Sequence, residues 1–166
     1  MLYKWRIEDL SEADRSVIEQ IYGSQRQTIG FSWNSIEYLR PLTATERAYL
    51  AVESDVLPTG AAMQVLYKVH GQITPLRFNR AVNFLVKEMS ILRTNYCPMG
   101  DHLLAAVFSE RRDLPEITYR SLENMEGEEL DKTLKRIGEA EMRRDFDIRH
   151  GHLIRFGVYR TAPLTF

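Results

Sequence analysis

Residues 75–96, PLRFNRAVNFLVKEMSILRTNY, constrain the fold of this chain more than any other stretch. Leu76, Phe78, Ala81, Val82, Leu85, Val86, Met89 and Leu92 recur at helical period and make a broad apolar stripe. Pro75 suits a first helical turn, where its missing N–H costs nothing. The pattern predicts a helix that breaks at Ser90-Ile91 and continues as a strand over Leu92–Tyr96. Immediately upstream, Met63–His70 (MQVLYKVH) alternates. Met63, Val65, Tyr67 and Val69 fall on one face, Gln64, Leu66, Lys68 and His70 on the other, which predicts a strand. Composition and spacing alone specify an α/β domain without a complete active site.

A length of 166 residues is enough for one domain with its own core, and 44% apolar with 27% charged residues excludes general disorder. Twenty-two basic residues against 23 acidic leave a formal charge of −1. No long-range field would gather nucleic acid or anionic lipid, so neither is expected as a partner. Cys97 is alone, which excludes an internal disulfide and favours a reducing, cytoplasmic setting. No run approaches the ~20 apolar residues needed to span a bilayer. The opening MLYKWRIEDL also lacks the layout of a secretion signal.

Along the chain, residues 1–10 suggest a short strand carrying Leu2, Tyr3, Trp5, Ile7 and Leu10. Ser11 caps a helix that exposes acids in its first turn, stripes Val17, Ile18, Ile21 and Tyr22, and stops at Gly23. Residues 24–37 read as irregular, with Trp33 a packing anchor rather than a stacking platform for a ligand. Thr43-Ala44-Thr45-Glu46 has the form of a capping box, and the helix after it is expected to bury Ala48, Tyr49 and Val52. Cys97–Asp101 reads as a hairpin connection into a return strand, His102–Phe108, antiparallel to the strand ending near Tyr96. Glu116–Arg120 is a further strand. A charged helix over about 128–144 carries a narrow stripe of Leu130, Leu134 and Ile137 and a solvated face of Glu139, Glu141, Arg143 and Arg144. Leu153–Tyr159 alternates with Ile154, Phe156 and Val158 on one face, and Leu164–Phe166 begins another apolar strand.

The residues that carry chemistry do not assemble into a motif. His150 and His152 have no further metal ligands at suitable spacing, so turn or surface histidines are the expectation and no metal is called for. His70 and His102 stand at strand ends without a visible Ser, Cys or acidic partner. Cys97 has no second cysteine at C-x-x-C spacing and reads as an inert thiol. Gly60, Gly71 and Gly100 are isolated, so no phosphate-cradling loop is present. Arg93 is the informative charge: its apolar neighbours demand burial, and an arginine there must find acceptors. A structural ion pair or hydrogen-bond clamp is expected, not a substrate contact. Asp147, in Arg144-Asp145-Phe146-Asp147-Ile148, is read as fixing a turn, with Phe146 plugging the core.

Three segments together resemble the N-terminal lobe of a condensation domain of nonribosomal peptide synthetases, in the superfamily of chloramphenicol acetyltransferase-like acyltransferases. Tyr38-Leu39-Arg40-Pro41-Leu42-Thr43-Ala44-Thr45-Glu46-Arg47 is similar to that family's Pro-Leu-Thr-x-x-Gln start, with Glu46 where Gln is usual. The run Leu76–Thr94 resembles its long first helix ending in Leu-Arg-Thr. Arg144–Ile148 followed by Leu153-Ile154-Arg155 resembles Phe-Asp-Leu…Pro-Leu-Leu-Arg, with His152 in place of the proline.

The resemblance covers residues 38–166 and leaves residues 1–37 as an N-terminal arm or linker region packing on the lobe. It implies an α+β, chloramphenicol acetyltransferase-like half-domain, a mainly antiparallel sheet covered by helices. It further implies amide formation between phosphopantetheine-tethered acyl and amine substrates, delivered by carrier proteins to a tunnel shared with a C-terminal lobe. No cofactor would bind directly. The family's His-His-x-x-x-Asp-Gly motif would be expected shortly after Leu164–Phe166, and none of the four histidines here matches it. No catalytic residue is carried over; Arg93 and Asp147 are implied as structural support near the site. The chain alone is therefore expected to be inactive, a fragment whose exposed lobe face can drive self-association. The alternatives are a non-catalytic docking or scaffold module, a small acyltransferase or hydrolase using His102 or His152, and a coenzyme A-dependent acyltransferase.

Overall fold

The computed structural model describes residues 4–23, 35–50, 62–99, 102–109 and 114–166. Its helices and strands are α1 (Glu12–Gly23), β1 (Ile36–Pro41), α2 (Ala44–Leu50), α3 (Pro75–Glu88), β2 (Thr94–Met99), β3 (His102–Phe108), β4 (Ile117–Ser121), α4 (Gly127–Met142) and β5 (Phe156–Arg160). The class is α+β, with an antiparallel sheet of order β1-β3-β2 and a separate parallel pair β4-β5.

The stretch that dominates the sequence folds nearly as its periodicity demands. Thr74 caps α3 by accepting from the Arg77 N–H at 3.3 Å, and Pro75 takes the first turn. Gly71, with φ +131°, makes the turn ahead of it, a backbone conformation closed to side chains with a Cβ. A four-residue 3-10 turn, Ser90–Arg93, then delivers the chain into β2. Only Val82 and Val86 of the apolar stripe are fully buried. Phe78 meets Tyr119 and Phe156 edge-on, at ring-centroid distances of 6.2 and 5.7 Å, so α3 packs on the β4-β5 pair. The hairpin β2-β3 forms as expected, but β2 runs on through Pro98 to Met99, which pairs with His102.

Alternation on β2 and β3 gives the three-stranded sheet two covered faces. Cys97, Ala106 and Phe108 join Ile18 of α1, Ile36 and Leu39 in one core, with Trp5, Ile7 and Leu10 against it. Tyr96 and Ala105 point the other way, into a core with Leu42 and Ile148. Parallel β4 and β5 are joined through α4, a crossover of the length that parallel pairing requires.

Several local expectations are corrected. Residues 63–70 form no regular strand: the segment is extended, and its pairing is limited to the isolated bridge His70–Thr165 and the bonds beside it. Alternation supplies the pleat, but a ladder needs a neighbour. The expected N-terminal strand reduces to one bridge, Trp5–Leu39, followed by a 3-10 turn at Ile7–Asp9. The stretch 24–37, read as irregular, already contains the start of β1 at Ile36, because a six-residue strand with an Arg and a Glu carries a weak periodic signal. Ala48 and Tyr49 are exposed, and Leu50 packs instead. Ile148, not Phe146, enters the core. On α4 the buried residue is Thr133, while Leu130, Leu134 and Ile137 are half-buried. Trp33 and Val52 lie outside the described residues.

Because Ile18 is fully buried between α1 and the sheet, truncating it tests whether the N-terminal helix belongs to the cooperative unit. Ile18→Ala is expected to cost about 2–5 kcal/mol in urea unfolding. An unchanged midpoint would mean that α1 is dispensable for the sheet's stability.

Candidate functional site

Four consecutive residues where the 3-10 turn runs into β2, Arg93, Thr94, Asn95 and Tyr96, are buried. Each brings a polar group into the interior, and each has been given a partner from a different part of the chain. The Arg93 guanidinium donates through Nε to the Val86 carbonyl at 3.0 Å. Its Nη1 donates to the Phe108 carbonyl, and to Ser109 O at 3.2 Å. Glu37 Oε2, half-exposed, lies 3.8 Å from the same nitrogen. Arg93 thus ties the end of α3, the end of β3 and β1 together, the clamp geometry that its burial requires. Thr94 donates its hydroxyl to Ser90 O at 2.8 Å, closing the 3-10 turn.

Asn95 and Tyr96 hold the chain's later half. The Asn95 amide donates to Gly151 O at 2.7 Å and to Ile148 O at 3.3 Å, while the Tyr96 backbone N–H donates to Ile148 O at 2.8 Å. The docked turn is shaped from within by Asp147, whose Oδ1 accepts from the N–H groups of Arg149 and His150 at 2.9 and 3.0 Å. Its Oδ2 lies 3.2 Å from His150 Nδ1. Phe146 sits under the Arg155 guanidinium, 4.0 Å from ring centroid to Cζ.

The Tyr96 hydroxyl reaches the other way and donates to Glu46 Oε1 at 3.0 Å. Glu46 also receives a two-pronged pair from Arg40, both contacts 2.7 Å, and the Thr43 N–H at 2.7 Å. The Thr43 hydroxyl accepts in return from Glu46 N–H at 3.2 Å, completing the capping box. Burial alone would raise the Glu46 carboxyl. The hydrogen bonds from Arg40, Thr43 and Tyr96 outweigh it and hold the group down at about 2. Burial, and next the Glu46 charge, push the Tyr96 phenol well above its ordinary range.

Two grooves flank this framework. One, of about 490 Å³, lies between the start of α3, strands β4 and β5, and the 163–166 segment; in it the Tyr119 hydroxyl lies 2.8 Å from Asn79 Oδ1. The other, of about 1160 Å³, lies between residues 62–66, α4 and β5. Its charged wall is internally paired: Arg144 bonds Glu116 and reaches Glu141 at 2.9 and 3.0 Å. The Arg144 hydrogen bond is the main reason that the Glu116 carboxyl is held low. Arg155 donates to the carbonyls of Asp145, Glu141 and Arg144. Arg144 is exposed, as the sequence suggests, while Glu141 is half-buried; the two also fasten α4 to the entry of β4 and to the 145–155 turn. Glu139 and Arg143 are exposed.

Among the described residues, no three His, Cys, Asp or Glu side chains gather to hold a metal ion. Nor is any of their helices long and apolar enough to cross a membrane. His70 is exposed and paired through its backbone with Thr165, far along the chain from His150 and His152; the His102 side chain lies outside the described residues. Cys97 is fully buried in the core. Asn95 is the residue that sequence reasoning passed over. Its signal was an amide inside a strand that was expected to be buried, next to Arg93.

No protein-family model matches the sequence, and no curated protein matches it either. Solved structures do. The starter condensation domain of rhizomide synthetase RzmA matches with a TM-score of 0.50 and 16% identity, over 59% of this chain and 24% of that one. The chain shares its fold with part of a condensation domain. At that identity the likeness is one of fold alone, and the chain spans only 24% of the matched structure's length. Tallysomycin biosynthesis protein TlmII matches with a TM-score of 0.47 and 17% identity, over 59% and 23% of the two chains. The condensation domain of the enacyloxin polyketide synthase matches at 0.49 and 20%, over 61% and 19%.

Two outcomes test the β2 framework. Arg93→Ala strips a donor from three carbonyls and is expected to cost about 2–4 kcal/mol in chemical denaturation, and Arg93→Lys to recover less than half, because one ammonium cannot serve both directions. For Glu46, the folded value near 2 lies below the ordinary 4.5. Its contribution is complete above pH 4.5 and fades as pH falls toward 2. Glu46→Gln is therefore expected to be about 1–2 kcal/mol less stable at pH 7, a gap that closes on acidification, in urea melts repeated across pH.

Proposed function

We propose that this chain is the N-terminal lobe of a condensation-type acyltransferase, a scaffold half that supplies architecture while the reacting histidine lies outside these 166 residues. The observation that carries the reading is a convergence. Two of the three segments that resemble the family, 38–47 and 144–155, lie far apart in sequence, yet both meet at β2, into which the third, 76–94, runs directly, in a chain that shares its fold with a starter condensation domain. In this reading Arg93 and Asp147 support the floor of the site and touch no substrate.

The reaction assigned to the whole domain is amide formation between two phosphopantetheine-tethered substrates brought by carrier proteins. The acceptor amine attacks the donor thioester carbonyl, the C–N bond forms, the C–S bond breaks, the amine loses a proton and the carrier thiol takes one. A histidine is wanted to orient or deprotonate the amine, and the thioester is already a good electrophile. The partners are a C-terminal lobe and the carrier proteins, and the setting is cytoplasmic. A second reading takes the acyl donor as a coenzyme A thioester; a variant of the RzmA domain solved in complex with C8-CoA favours it.

The test joins this chain to the polypeptide encoded directly after Phe166 and follows amide product by mass spectrometry. Carrier-bound and coenzyme A-bound acyl donors are supplied in separate reactions. The joined protein is expected to form product, with the preferred donor separating the two readings, and residues 1–166 alone to form none. Product from residues 1–166 alone, or a reading frame that stops at Phe166, would overturn the proposal.

A further inference from the structure

Phe78, Val82 and Val86 form the inward side of α3. Phe84 stands on the opposite side, 62% exposed. A lone exposed phenylalanine would need no explanation, but its surroundings do. Arg80 lies one turn before it, Lys87 one turn after it and Arg77 two turns before it, all of them exposed. Leu76, 61% exposed, adds a second apolar group one turn before Arg80. No described residue forms an ion pair with any of the three cations. Glu88, at the end of the helix, is the only acid of α3. Helix stability does not account for the set, because Arg77 occupies the first turn, where the macrodipole favours an acid and α3 has none.

We propose that this face of α3 docks an acidic helical segment of another protein. Phe84 and Leu76 are the apolar anchors. Arg77, Arg80 and Lys87, spread over about 15 Å of helix axis, match carboxylates placed one and two turns apart on the partner. An aromatic anchor beside arginines is the composition of an interface hot spot. The same features count against other occupants. An amphipathic helix enters an anionic bilayer by a continuous apolar face, whereas the continuous apolar side of α3 is turned inward and cations sit between its exposed apolar groups. A nucleic acid would leave Leu76 and Phe84 without a role and bring phosphates toward Glu88. The chain's own acidic run, Glu126, Glu128, Glu129 and Asp131, opens α4. Tyr119 and Phe156 face α3, while Thr118 and Tyr159 line the groove beside α4, so the two helices lie on opposite sides of the β4-β5 pair. Copies joined through those two faces would extend as an open chain instead of closing.

The test is fluorescence anisotropy of the 166-residue protein with a labelled, alanine-rich helical peptide carrying glutamates one and two turns apart beside two leucines on one face. The peptide is expected to bind. Phe84→Ala and Arg80→Glu are each expected to weaken binding about tenfold or more, with an unchanged circular dichroism spectrum because both side chains are exposed. Glutamine in place of the peptide's glutamates should abolish binding, and added salt should weaken it. Phosphatidylcholine vesicles containing phosphatidylserine, duplex DNA, and the protein alone in sedimentation equilibrium test the other occupants. A peptide that does not bind, or binding that both substitutions leave intact, would overturn the proposal. So would an affinity for vesicles, DNA or a second copy that Arg80→Glu removes.

Discussion

The burial of Arg93-Thr94-Asn95-Tyr96 is the constraint on which the rest of the molecule depends. Four polar side chains cannot enter an interior unpaired, since each orphaned group costs about 1–3 kcal/mol and an unpaired charge more. Their partners are Val86 and Phe108 for Arg93, Ser90 for Thr94, Ile148 and Gly151 for Asn95, and Glu46 for Tyr96. Satisfying them places the end of α3, the end of β3, the 147–151 turn and the start of α2 around one strand. A purely apolar strand would have left those placements to shape alone.

The same strand separates two cores. Cys97 faces α1 and Tyr96 faces the 148–153 turn, so the period-2 alternation of β2 assigns the N-terminal and C-terminal segments to opposite sides of the sheet. Polar clamps and apolar alternation are consistent with each other here, which is what a single well-specified arrangement needs. Arg93 and Asn95 are spent on backbone carbonyls, and Arg40, Glu46 and Tyr96 on one another.

Glu46 shows how one position serves two levels of structure. As the fourth residue of the Thr43 box it starts α2, a purely local task. As the acceptor for Arg40 and Tyr96 it joins β1 to β2, with the cost of burial more than offset by four hydrogen bonds. The family resembled here usually has Gln at that place. The carboxylate has its counterpart in Arg40, which gives this chain an ion pair where an amide would offer one acceptor.

Much of this was legible in the residues. The stripe over 75–92 determined α3, the Thr43–Glu46 spacing determined the cap, and the apolar surroundings of Arg93 demanded a clamp, because each depends on neighbours within a few positions. The tertiary structure alone decided the rest. Which carbonyls Arg93 would reach, the role of Asn95, the ties from Glu141 and Arg144 to distant segments, and the parallel pairing of β4 with β5 all join residues that sequence distance does not relate. Residues 63–70 mark the boundary clearly. Their alternation is that of a strand, but a ladder is made by two segments, and one segment's pattern cannot say whether the other is there.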